Sequence, residues 1–144
     1  MDLLDLKPKS ETIEVILTHP VSLEPICKED GTEMSITVYA PHSKVYKEAL
    51  HEQTNRRIQK AQKTKKFTLT SEDAEQSSLE VLARVTKEWD IVVGGKTPKM
   101  DFQTAMDLYR EYPWIKEQIE EAINDTASFL TQNFYLISGL PFMF

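Results

Sequence analysis

At 144 residues the chain has the length of one ordinary domain, and folding can remove roughly two-thirds of its unfolded surface from water. Hydrophobic residues make up 40% and charged residues 28%, with a net charge of −6, a balance that fits a water-soluble protein with a packed core. No long apolar run or signal-peptide pattern occurs, so no membrane span is expected; the single Cys27 rules out an internal disulfide and fits the reducing cytoplasm.

Residues 1–10 hold Leu3, Leu4 and Leu6 ahead of Pro8 and a polar run, and read as a flexible N-terminal arm. Residues 11–130 read as one α+β domain, mainly α. A small N-terminal antiparallel β-sheet (11–40) precedes about four helices (42–130). Within the β portion, Ile13, Val15 and Leu17 alternate with Thr12, Glu14, Ile16 and Thr18 as a half-buried strand does, and His19-Pro20 ends it. Val21, Leu23 and Ile26 suggest a short extended piece, Asp30-Gly31 a tight turn, and Ser35–Tyr39 a strand with Ile36 and Val38 on one face.

Pro41-His42-Ser43 opens the first long helix, with His42 or Ser43 as its cap, and its Val45, Tyr46, Ala49, Leu50, Ile58 and Ala61 are expected to face the core. From Arg56 to Lys66 the chain carries Arg56, Arg57, Lys60, Lys63, Lys65 and Lys66 without an acid; taking those six positive charges from a net −6 leaves −12 on the rest. A second helix starts near Thr70 or Ser71, where Thr70 and Asp73 have capping-box spacing. Its apolar face is expected to run from Leu79 through Leu82 and Val85 to Trp89, followed by a long loop over Asp90–Lys99.

The stretch from Met100 to Leu130 predicts two helices. Asp101 can cap the first, whose Phe102, Ala105, Leu108, Tyr109 and Tyr112 recur at spacings of three and four. Pro113 stops it and restarts the chain, because proline breaks a helix interior but suits a first turn. Ile115, Ile119, Ala122, Ile123 and Thr126 share one face of the second helix, and Lys116, Glu117, Glu120 and Glu121 the other. Residues 131–144 read as an apolar tail, in which 134–144 carry no charge. Leaving about eight large side chains there in water would forfeit on the order of 10 kcal/mol, so the tail must dock on its own core, a neighbouring subunit or a client.

Signs of catalysis are weak. His19, His42 and His51 lack the spacing of a zinc site, and no cofactor is implied. Val93-Gly94-Gly95-Lys96-Thr97 is similar to the end of a phosphate-binding loop, but Asp90 stands where that motif needs its first glycine. The acids of the last helix read as a solvated face, and Cys27 as a half-buried packing thiol without an activating base. The basic run lacks interleaved aromatics, so a nucleic-acid partner is disfavoured against a solvated helix end or contact with an acidic face of another copy.

The order Leu108-Tyr109, Tyr112-Pro113-Trp114-Ile115, Gln118, Asp125 and Phe129-Leu130 resembles the C-terminal signature of tail assembly chaperones from long-tailed bacteriophages of the lambda-like siphophage type. The His-Pro step and Asp-Gly turn of the β portion also resemble that family. The resemblance implies a non-enzymatic, self-associating protein of the host cytoplasm, absent from the mature virion. It would bind the tape measure protein and keep it soluble during tail assembly. The major tail protein is a further candidate partner. A longer form made by ribosomal frameshift is common in such proteins. Candidate partner-binding residues are Tyr109, Tyr112, Trp114, Phe129, Phe134, Leu136, Phe142 and Phe144; Arg56, Arg57, Lys60 and Lys63 are candidates for homo-oligomer contacts. The alternatives are a structural neck or tail component of the virion and, further off, a nucleic-acid-binding regulator.

Overall fold

The computed structural model describes residues 11–64 and 71–138. The expected N-terminal arm, Thr70 of the capping box, and Phe142 and Phe144 lie outside them. In chain order the elements are β1 (Thr12–Ile16), β2 (Ser35–Tyr39), α1 (Lys44–Thr64), α2 (Ser71–Val85), β3 (Thr86–Asp90), α3 (Phe102–Glu111) and α4 (Pro113–Ser138). Among the described residues the fold is α+β: three antiparallel strands in the order β1-β2-β3, with four helices.

Alternation makes the first two strands as expected. Thr12 to Ile16 pair in register with Tyr39 to Ser35, which puts Val15 beside Ile36 and Ile13 beside Val38. The segment after β1 is a knuckle at Val21 and Leu23, and the expected extended piece survives only around Ile26, whose N–H donates to the Leu17 carbonyl and whose carbonyl accepts from the Met34 N–H. His19 Nδ1 accepts hydrogen bonds from the N–H groups of Val21 and Ser22, and Leu23 returns an N–H to the His19 carbonyl. Leu23 sits at φ 62°, in the left-handed region that costs a branched residue roughly 1 kcal/mol or more, and both Val21 and Leu23 face solvent. The next turn forms at Gly31, at φ 88°, with Asp30 accepting from the Thr32 N–H and hydroxyl. Those two bonds hold the Asp30 carboxyl below its usual pKa. Cys27 is exposed, not half-buried.

The third strand corrects the expectation that all β structure precedes the helices. α2 stops at Val85, and Thr86–Asp90 pairs antiparallel with β2, with a register shift between Thr37 and Val38. Val85 and Trp89 have helical spacing in the sequence, but Ile36 of β2 lies opposite Trp89 and Val38 opposite Thr86. Pairing to a strand some fifty residues earlier overrides the local period. The Trp89 indole then donates to the Pro98 carbonyl at 2.8 Å and pins the following loop. In that loop Gly94 and Gly95, at φ 60° and 81°, form a two-residue hairpin turn closed by Val93 and Lys96. This is what the phosphate-loop-like run builds.

Ser43 caps α1, its hydroxyl accepting from the Tyr46 N–H, and Asp101 caps α3 by accepting from the Thr104 N–H at 2.7 Å. At the break before Pro113, Tyr112 gives its N–H to the Leu108 carbonyl, while its own carbonyl accepts from Ile115 and Lys116. One residue thus closes α3 and opens α4. α4 runs on to Ser138, past the boundary at residue 130 where a separate tail is expected.

The core lies between one face of the sheet and the helices. Val15, Leu17, Ile36 and Val38 meet Leu79, Leu82, Val85, Leu108, Tyr109, Ile115, Ile119 and Ile123 in one cluster. Each large side chain there contributes roughly 1.5–3 kcal/mol by leaving water. α1 is the least integrated helix. Ala49 is buried, but Val45, Leu50 and Ile58, expected to face the core, are exposed. No helix among the described residues is long and apolar enough to cross a membrane.

Candidate functional site

Residues 108–118 act first as a frame. The Tyr109 side chain is 1% exposed, and its hydroxyl shares a 2.7 Å hydrogen bond with the Thr86 hydroxyl, which also donates to the Leu82 carbonyl. Burial pushes the Tyr109 phenol up to about 12, partly offset by the Thr86 hydrogen bond. Expected as a partner-facing residue, Tyr109 instead ties α3 to the junction of α2 and β3. Tyr112 and Trp114 pack edge-to-face, with centroids 6.3 Å apart and planes at 81°. Both are half-buried against the core, so each keeps part of its ring at the surface.

Gln118 does the most specific work. Its Oε1 accepts from the Thr18 N–H at 3.0 Å, and its Nε2 donates to the Thr18 carbonyl at 2.8 Å. The side-chain amide satisfies both backbone groups of one residue at the edge of the sheet, as a neighbouring strand would. It fixes α4 to the residue just before the knuckle that carries Val21 and Leu23.

α1 and α2 run antiparallel and are joined by a ladder of polar contacts. Glu52 pairs with Arg84 at 2.6 Å, Arg56 with Glu80 at 3.3 Å and Lys60 with Asp73 at 3.3 Å, and the Gln53 amide donates to the Ser77 hydroxyl. Arg56 and Lys60, expected to contact another copy, are therefore engaged within the chain. Arg57 points instead to a groove of about 300 Å³ bounded by α1, α2 and α4. Tyr46, Leu50, Val81, Leu82 and Ile123 make its apolar surface, and Gln53, Thr54, Arg57, Glu120 and Asn124 contribute polar groups. Burial and the nearby Glu120 carboxylate raise the Tyr46 pKa.

Comparison with known protein families, curated proteins and solved structures finds no match. The site is therefore defined by its own geometry. Phe129, Phe134 and Leu136 lie on the described backbone of α4, but their side chains, like that of Lys63, lie outside the described part. Among the described residues no group of three His, Cys, Asp or Glu side chains could hold a metal ion.

Among the described residues, the exposed apolar groups that sequence reasoning missed are Val21 and Leu23 on the knuckle, Val45, Leu50 and Ile58 on α1, Val92 and Val93 ahead of the Gly94-Gly95 turn, and Phe102 at the start of α3, where the Arg84 guanidinium sits 5.4 Å from its ring centre. Position in a turn could have flagged Val21 and Leu23. Nothing in the period of α1 distinguishes Leu50 from buried Ala49.

Proposed function

We propose that this chain is a tail assembly chaperone of the long-tailed phage type, which binds the tape measure protein and keeps it soluble while the tail tube forms around it. The observation that carries this reading is the ordered run Leu108-Tyr109, Tyr112-Pro113-Trp114-Ile115 and Gln118. Its residues have distinct jobs here: Tyr109 and Ile115 fill the core, Tyr112 links two helices and Gln118 clamps a strand edge. These roles are those of a structural frame, so the reading rests on the order of the residues in the sequence. The working surface then lies elsewhere, on the exposed knuckle after β1 and on the half-buried Tyr112 and Trp114.

A chaperone of this kind needs apolar surface to cover the apolar stripe of a long helical client, and no reactive centre. Val21, Leu23 and Ile58, left in water by the fold, supply such surface. The protein would act in the cytoplasm of the bacterial host as a homo-oligomer, without enzymatic activity, and leave before the virion matures.

Co-expression with the tape measure protein of the same genome tests this. The client should move from the insoluble to the soluble fraction and co-purify with the chain, and finished particles should lack it. Stoichiometric presence in purified particles would overturn the assignment in favour of a structural neck or tail component.

A further inference from the structure

We propose that the groove between α1, α2 and α4 is filled by residues 139–144 of a second copy of this chain. The groove has the make-up of a peptide seat, with an apolar floor that includes Leu50, 46% exposed, beside Ile123, and a polar rim that includes Arg57 and Glu120. The segment Gly139-Leu140-Pro141-Phe142-Met143-Phe144 has no charge and three large apolar side chains besides methionine. Apolar floor and apolar segment sit on the same polypeptide, and α1 packs only part of its apolar residues inward, which leaves Leu50 exposed.

Reach favours a second copy as the source of the segment. α4 is helical through Ser138, which carries the chain about 22 Å beyond Ile123 at 1.5 Å per residue. From Ser138 the four steps to Phe142 span at most about 14 Å, and the six to Phe144 about 20 Å. A segment turning back along its own helix therefore leaves Phe142 short of the floor at Ile123, and Phe144 arrives only at full stretch. A second copy has no such constraint. Two α4 helices running antiparallel bring each chain's 139–144 to the other's groove, and the exchange closes as a two-fold dimer in which both seats are filled. This inference does not depend on the identity of any client.

The test uses full-length protein with Cys27→Ser as background. One chain carries Leu50→Cys and another Phe142→Cys; Leu50 is far enough from the core for the change to leave folding intact. Oxidising an equal mixture should give a covalent heterodimer. A chain with both cysteines should cross-link between molecules. Ring closure within single monomers, or no cross-link in either experiment, would overturn the proposal. Sedimentation gives an independent readout. Phe142→Asp with Phe144→Asp, and separately Leu50→Glu, should each raise the dimer dissociation constant about a hundredfold, the scale of one or two large apolar side chains returned to water. A monomeric parent chain, or a dimer indifferent to both changes, would refute it.

Discussion

Replacing Gln118 by leucine keeps the bulk of the side chain and removes both of its hydrogen bonds to Thr18. A typical intramolecular hydrogen bond contributes about 1 kcal/mol net, so two contribute about 2 kcal/mol. Thr18 and Gln118 are half-buried, and water reaches the freed backbone groups in part, which keeps the loss near this figure rather than at the full desolvation cost. Urea unfolding followed by far-UV circular dichroism should show the midpoint falling by roughly 1 M at unchanged slope, given a slope of about 2 kcal/mol/M. Gln118→Glu sharpens the test. At neutral pH its carboxylate can accept from the Thr18 N–H but opposes the Thr18 carbonyl, so the variant should be at least as destabilised as the leucine one. Below about pH 4 the carboxyl protonates and regains a donor, and the deficit relative to the parent should shrink by about 1 kcal/mol. A leucine variant within 0.5 kcal/mol of the parent, or a glutamate variant whose deficit ignores pH, would refute the clamp as a stabilising contact.

Tyr109→Phe should cost about 1 kcal/mol at neutral pH, where Thr86 keeps its bond to Leu82. The folded-state pKa of about 12 lies above the ordinary tyrosine value of 10, so the neutral phenol is favoured by folding. The corresponding stability is complete below pH 10 and lost between pH 10 and 12; the parent should lose on the order of 2–3 kcal/mol more than the phenylalanine variant across that window, measured by denaturant titration at each pH. Reversing Arg56 and Lys60 to glutamate should lower stability by about 1–2 kcal/mol, less in 1 M salt, because exposed ion pairs are weak and screened; a change confined to oligomer size would instead place them at a copy–copy contact. The Asp101 carboxyl is held below its usual pKa by the Thr104 N–H, so its capping is present above the ordinary carboxylate range and lost as pH falls through the lowered value; amide exchange at Thr104 should rise there first.

Much of the fold follows from the residues alone. Alternation over Thr12–Ile16 and Ser35–Tyr39, the Ser43 and Asp101 caps, the Asp30-Gly31 turn and the Pro113 restart are local properties: a hydroxyl, a carboxylate, a missing Cβ or a closed ring acts within four residues of its position in the chain. Less of the candidate site was legible. Tyr112 and Trp114 keep some surface, but Tyr109 went inward, and Arg56 and Lys60 found acids on α2. An aromatic or a cation carries no mark of which side of a fold it will meet.

What only the tertiary structure decided is whatever depends on a partner far along the chain. Thr86–Asp90 is a strand because β2 offers an open edge, against a period that suits a helix. Gln118 is a clamp because Thr18, a hundred residues earlier, has two unpaired backbone groups beside it. Leu50 is exposed beside a groove and Ala49 buried because α2 and α4, brought against α1 by the tertiary fold, cover one of these neighbours and not the other. Local sequence fixes torsions and caps; the free energy that selects a face or an edge comes from surface buried between segments, which no single segment contains.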